Sequence, residues 1–437
     1  MARNVVDMRT VLTFAGNVMA RRLAVLVLLW ASCVLPALAP GSASAAVRHG
    51  RAADNPYGAV LVMGVRELRD PSASLRALEM ASQAGIGWLR LGFPWSWVEG
   101  TPGRFIWQVH DALIAKAQSL GIEVMGSLGY TAVWASSAPP EVTRAVDRER
   151  YPPTDYEAWG RYVFQTVSRY KGRVRYWEVW NEPDLGGEGQ FGFWRGTESE
   201  FARLLAVAYE SVKRADPQAQ VVIGGLSLGG SPGVLNEEFL PRILNDPSYP
   251  AARYFDIAAF HQYGSKETAR QRITYVKSEL EKVGAGQKPI WVTEVGIASE
   301  PRPQDPPQYR GPEGQARYLR EMLPYLLELG ARKVFWFSLV DSTLSGANTI
   351  SHGLLREDLE PKPAYFAYRD LIAETLAPGD EGEGATWPAR EPGLAQPTAP
   401  VETEGRGRWV LVAVVTGGTA LAAGAALAWR LRRSARA

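Results

Sequence analysis

Tyr176-Trp177-Glu178-Val179-Trp180-Asn181-Glu182-Pro183-Asp184 decides how this chain is read. The run before Glu182 is rich in aromatic and β-branched residues, the composition of a strand. Pro183 cannot continue a strand interior, so the run ends on a carboxylate. A second stretch repeats the design. Ile290-Trp291-Val292-Thr293-Glu294-Val295-Gly296 is again strand-like, and Gly296 breaks it just past Glu294. Two glutamates are thereby carried to the ends of two different strands.

Working outward, apolar strand-like runs fall at residues 59–62, 87–91, 122–128, 174–180, 220–224, 256–260, 289–293 and 333–338. Between them lie helix-period patterns at 72–84, 111–120, 156–170, 198–215, 267–283, 314–329 and 364–373. Gly85, Gly121, Asp216-Pro217 and Gly330 punctuate their ends. Strand alternating with helix predicts a parallel sheet. Eight such units over roughly 320 residues fit an α/β fold of the (β/α)₈ TIM-barrel type with long loops. An open doubly wound sheet is the alternative. It is weakened because no Gly-x-Gly-x-x-Gly turn follows the first strand.

A barrel of this kind carries its chemistry at the C-terminal ends of the strands. The candidates there are Arg90 near the end of the second strand, with Trp95 and Trp97 following it. Tyr130 and Trp134 follow the third, and Asn181 and Glu182 close the fourth. His261 and Tyr263 follow the sixth, Glu294 closes the seventh, and Trp336 ends the eighth. Phe191, Phe193 and Trp194 lie in the Gly-rich loop after Glu182. Loop aromatics of this kind can line further subsites of a cleft. Trp177, Glu178 and Trp180 are assigned to the barrel interior or to the layer directly supporting the site residues.

The remaining composition narrows the options. The chain has 437 residues and a formal net charge of +2, which gives no electrostatic case for nucleic acid. Its one cysteine, Cys33, excludes an internal disulfide. Four histidines, none paired at ligand spacing, predict no metal site. No phosphate-binding Gly-rich loop stands out, so no cofactor is expected, and no obligate protein partner is evident.

The ends of the chain point to export. Arg21-Arg22, an apolar run over 23–38 and Ala43-Ser44-Ala45 follow the order of a secretory signal. Residues 1–45 are therefore expected to be a signal peptide, with an uncleaved anchor as the alternative. Residues 46–376 form the catalytic domain. Residues 377–408, rich in Pro, Gly, Glu and Thr, read as a disordered linker. Residues 409–429 are apolar and flanked by Trp409 and Trp429, the length and edges of a transmembrane helix. The arginines of 430–437 place the tail in the cytoplasm. The expected topology is a single-pass cell-membrane protein whose catalytic domain is extracytoplasmic.

Asn181-Glu182-Pro183 and Val292-Thr293-Glu294 resemble the acid/base and nucleophile motifs of glycoside hydrolase clan A, the retaining (β/α)₈ glycosidases. Trp-Asn-Glu-Pro-Asp and His-Gln-Tyr are most similar to family 39, with a relative of family 5 as the other choice. The stretch Ser127-Leu128-Gly129-Tyr130 departs from family 5, where many members carry a His. The resemblance implies a carbohydrate substrate with a β linkage. It implies Glu182 as general acid, then base, and Glu294 as nucleophile. A negative Glu294 is expected to raise the pKa of Glu182. Asn181 would bond the sugar 2-hydroxyl, Arg90 would hold Glu294 ionised, and Tyr263 would orient it. His261 would line the sugar site, and Trp336 would floor it. A transglycosylase with the same pair and a non-catalytic surface carbohydrate-binding protein are the alternatives.

Overall fold

The computed structural model describes residues 55–185, 192–229, 237–303, 305–344 and 348–377. The expected signal segment, the linker beyond Ala377, the apolar span and the basic tail lie outside the described residues, as does Phe191. Among the described residues no helix is long and apolar enough to cross a membrane.

Each of the eight strand-like runs forms a strand. They are β1 (Tyr57–Leu61), β2 (Trp88–Phe93), β3 (Glu123–Leu128) and β4 (Tyr176–Asn181). The others are β5 (Gln220–Gly225), β6 (Ala258–Gln262), β7 (Ile290–Val295) and β8 (Lys333–Trp336). All pair in parallel, in the order β5-β4-β3-β2-β1-β8-β7-β6. The two edges of this sheet meet through parallel bridges, Val222 with Ile257 and Leu226 with Phe260. Hydrogen bonds from Ile223 N to Ile257 O (3.0 Å) and from His261 N to Leu226 O (2.8 Å) complete the ring. The sheet is therefore an almost fully laddered (β/α)₈ barrel.

Two intervening helices keep the predicted bounds because their start signals are local. Asp155 accepts from Glu157 N ahead of Tyr156–Tyr170, and Thr197 with Glu200 forms a capping box ahead of Glu198–Ala215. The strand-to-helix loops hold short helices at Trp95–Val98, Ala145–Arg148 and Phe239–Leu244, and a hairpin of Ser342–Leu344 with Asn348–Ile350. These segments are too short to carry a readable period.

Aromatic side chains plug the bottom of the barrel. Trp88, Tyr176, Trp291 and Phe335 come from four strands and meet edge-on or tilted, at centroid distances of 5.0–6.5 Å. This plug excludes water below and fixes the inward face of each strand. Counting by twos, Trp88 leads to Arg90 on β2, and Tyr176 leads to Glu178 and Trp180 on β4. Charged residues thus occupy the next layer up, directly beneath the open end.

Candidate active site

Two local departures from regular strand geometry build the site. On β7, the inward set that starts at Trp291 would leave Glu294 on the outer face with Val292. The pairing register of β7 shifts at this point against both neighbours. Such an irregularity re-aims a side chain, and the Glu294 carboxylate turns into the barrel mouth toward Arg90 and Tyr263. At the end of β4, Trp180 (φ 75°) and Glu182 (φ 46°) both take left-handed backbone conformations. Each costs a non-glycine residue about 1–3 kcal/mol. Surrounding contacts hold them there. The Trp180 indole donates to Phe193 O (3.0 Å) and its ring packs on Tyr130 and Trp194. Asp184 accepts from the backbone N–H groups of Ser227 (2.8 Å) and Leu228 (2.6 Å), tying the loop after β4 to the loop after β5.

Arg90 is the hub. Its Nε donates to Glu178 Oε2 (2.7 Å), one terminal nitrogen to Glu294 Oε1 (2.7 Å) and the other to Asn181 Oδ1 (2.8 Å). Burial opposes its charge, yet Glu178 and Glu294 outweigh burial and raise its pKa further. Glu294 Oε2 accepts from the Tyr263 hydroxyl at 2.6 Å. Burial and the neighbouring carboxylates push the Tyr263 phenol well above its ordinary value, so it remains a donor. Both oxygens of Glu294 are thereby oriented.

Glu182 is 3% exposed, and its Oε1 lies 2.9 Å from His261 Nδ1. Burial raises its pKa to about 7, with Arg90 and Arg272 acting against that rise and Glu178 adding to it. The rise was expected from Glu294; removal from water is the dominant cause instead. His261 is fully buried, and burial lowers its pKa, which keeps the imidazole neutral. One ligand atom each from Glu182, His261 and Glu294 lie within 4.8 Å of one another, the one such group among the described residues. A cation could be held there only by displacing bonds already made by Arg90, Tyr263 and His261 to these carboxylates.

A cavity of about 420 Å³ opens over this pair. Glu182, Glu294, Arg90, Asn181, Tyr263 and Tyr130 all line it. His261 lies beneath the two glutamates and reaches the cavity only through them. Three expected site residues are elsewhere. Trp336 is fully buried, donates to His352 O (2.9 Å) and packs toward Tyr318 on the outer side of β8. The next residue, Phe337, faces the cavity in its place. A period of two makes this a change of face from a displacement of one residue. Trp95 is buried against Trp159 and Tyr162 and donates to Glu99 Oε2 (2.7 Å), which anchors its loop. Trp134 packs on Trp95 and donates to Glu99 O (2.8 Å), at the surface beside the loop. Trp97 and Phe193 line the cavity, whereas Trp194 is buried beneath it.

Arg272 and Arg302 line the cavity too and were not singled out from sequence. Arg272 sits on the helix Lys266–Lys282, inside an amphipathic pattern that reads as a solvated cation. Only its position beside the strand end of His261 shows otherwise.

Residues 93–371 match the family profile described as Glycosyl hydrolase family 10. A beta-xylosidase of Caldicellulosiruptor saccharolyticus is 26% identical over 245 residues, covering 50% of this chain and 47% of that protein. Endo-1,4-beta-xylanase C of Paenibacillus barcinonensis is 26% identical over 197 residues, 41% of this chain and 17% of that protein. The chain thus spans about half the length of the first relative and less of the second. Among solved structures, a family 39 glycoside hydrolase from Bacteroides cellulosilyticus WH2 superposes with a TM-score of 0.56 at 20% identity. That alignment covers 75% of this chain and 65% of the other, and it shows the shared barrel.

Proposed function

We propose that this chain, which belongs to glycosyl hydrolase family 10, cleaves β-linked glycans of the xylan type by double displacement, with Glu182 as acid/base and Glu294 as nucleophile. The observation that carries this reading is the approach of the two carboxylates, whose oxygens come within 4.8 Å with His261 between them. Retaining enzymes hold their carboxyl groups at about 5–5.5 Å, whereas inverting enzymes need about 6.5–9.5 Å to admit a water between. The two environments also divide the labour. Glu182 holds its proton near neutrality because it is buried. Glu294 meets a guanidinium and a phenol, and both donate to it.

In the first step the Glu182 proton passes to the leaving oxygen as Glu294 Oε attacks the anomeric carbon, giving a glycosyl ester. In the second, Glu182 takes a proton from water, which displaces Glu294 and returns the carboxylate. Asn181, held through Arg90, is placed to bond the sugar hydroxyl next to the reacting carbon. The printed activities of the xylosidase and xylanase relatives supply the xylan-type substrate. The signal-like segment and the apolar C-terminal stretch support action on the outer face of a membrane.

Replacing the nucleophile tests the reading. Glu294→Ala should lose hydrolysis of xylo-oligosaccharides and aryl xylosides, and added azide should restore turnover of an activated aryl glycoside as a glycosyl azide. Normal hydrolysis by that variant would remove Glu294 from the mechanism.

A further inference from the structure

Arg90, Arg272 and Arg302 all line the cavity. Two of these cations are committed. Arg90 serves Glu178, Glu294 and Asn181. Arg272 donates to the carbonyls of His261 (2.8 Å) and Gly229 (3.2 Å), bracing the β5 and β6 ends. Arg302, in the segment after β7, is different. Among the described residues its guanidinium has no hydrogen-bond or ion-pair partner. Asp305 is nearby, but its Oδ2 accepts from the Arg302 backbone N–H (3.0 Å) and not from the side chain.

The surroundings of Arg302 locate it beside the reaction centre. It acts electrostatically on Tyr263, the residue that holds Glu294, and on His352. Tyr263, His352 and Phe337 pack edge-on into one aromatic wall of the cavity, with centroids 5.8–6.4 Å apart. Arg302 is half-buried at that wall. Asp305 and Glu300 offset part of its charge at a distance, but burial outweighs them and lowers its pKa, and neither carboxylate is bonded to its fork. Its planar fork matches a carboxylate in two parallel hydrogen bonds.

We propose that Arg302 is a specificity-determining residue for an acidic glycan, and that it binds the carboxylate of a uronic acid unit in the cavity next to the Tyr263–His352–Phe337 wall. The proposal rests on the retaining-glycosidase reading and narrows it. A wholly neutral chain would leave the Arg302 fork without a bonded carboxylate, and a uronic acid unit would supply one.

The experiment compares each uronic-acid-containing glycan with the same glycan after its carboxyl groups are reduced to primary alcohols. Wild type should show a kcat/KM at least about tenfold higher on the acidic form. In Arg302→Gln this ratio should fall to about one, and Arg302→Lys should recover part of it. Being a ratio within one preparation, it is insensitive to any folding loss. Wild type that cleaves both forms equally, or Arg302→Gln that keeps the preference, overturns the proposal. A sulfated neutral glycan preferred over the uronic one overturns the carboxylate assignment. If no glycan of either form is cleaved, and a 2-deoxy-2-fluoro glycoside leaves no mass adduct on Glu294, the retaining reading itself falls.

Discussion

His261 Nδ1 lies 2.9 Å from Glu182 Oε1 and 3.5 Å from Glu294 Oε2, so one imidazole nitrogen stands between the two carboxylates. Burial keeps that ring neutral. With the ring neutral, the proton that can pass to a leaving group is the one Glu182 carries in its acid form. With Glu182 raised to about 7 by burial, its acid form is present below that pH and lost above it. For a substrate with a poor leaving group, kcat/KM should fall about tenfold per unit as pH rises beyond about 7. An aryl glycoside with a strongly acidic phenol needs no protonation at that oxygen and should lose the limb in its glycosylation step. A poor-leaving-group profile that stays flat to pH 9 removes Glu182 as the acid.

The same burial links Glu182 to stability, and the sign follows from which state holds the proton. Between the ordinary value of 4.5 and about 7 the folded chain keeps a proton that the unfolded chain has released. Folded stability therefore falls as pH rises through that window. Above it, an ionised carboxylate is held out of water. Glu182→Gln stays neutral throughout. It should melt like wild type near pH 4 and be more stable above pH 7, by on the order of 1 kcal/mol or more. Parallel thermal melts at the two pH values measure this. Equal melting temperatures at pH 8 would mean that the carboxyl is not desolvated.

The barrel was legible because each strand is bounded by its own local signals, and Asp155 and Thr197 start their helices without tertiary help. The two glutamates that meet in the barrel mouth were legible for the same reason, each standing beside a strand breaker. What failed to show was facing. Glu294 is turned inward by a register shift that no pattern in Ile290–Val295 announces. Trp336 and Phe337 could each have been the inward residue, and the choice depends on how β8 pairs with its neighbours. Trp95 reads as a loop aromatic over the cleft until its indole N–H is seen to be used by Glu99. Arg272 and Arg302 were missed because an arginine on a helix or in a Pro-rich loop has no sequence mark of burial.

Arg90 ties three elements of the site together through its charge. It joins β2 to β4 and β7 through one guanidinium, and Glu178 beneath it is fully buried. Arg90→Leu leaves two carboxylates inside the barrel mouth with no cation. Breaking a buried pair from one side costs about 3–5 kcal/mol. Arg90→Lys keeps the charge but cannot form the three-way fork. Denaturant unfolding should rank wild type above the lysine variant and the lysine variant above leucine, with kcat falling in the same order. An unchanged midpoint for Arg90→Leu would show that the charges are solvated in practice.

Gly225 gives a sharper steric test. A Cβ built there would lie 2.1 Å from His261 Nε2 and 2.6 Å from Thr293 Oγ1, closer than real contacts allow. The imidazole must tilt if alanine is introduced, and its Nδ1 cannot then hold the 2.9 Å contact to Glu182. Overpacking of this kind costs about 1–3 kcal/mol. Gly225→Ala should remain folded below its lowered melting temperature yet show a displaced alkaline limb in kcat/KM for poor leaving groups. A variant with reduced stability and an unmoved limb would mean that His261 does not govern the Glu182 proton.

Trp336 and Phe337 separate packing from binding at neighbouring positions. Trp336 is enclosed beside Tyr318, with its N–H satisfied by His352 O. Trp336→Ala should cost about 3–5 kcal/mol of stability through the cavity it leaves, and its main loss of activity should track loss of folded protein. Phe337 instead presents its ring to the substrate cavity, edge-on to Tyr263 and His352. Phe337→Ala removes an apolar surface on which a sugar face can lie, so kcat/KM should fall at least tenfold while the melting temperature shifts much less. Phe337→Trp, which enlarges that surface, should restore most of the activity. If Phe337→Ala binds and cleaves as wild type does while Trp336→Phe weakens substrate affinity at full stability, the assignment of faces on β8 is reversed.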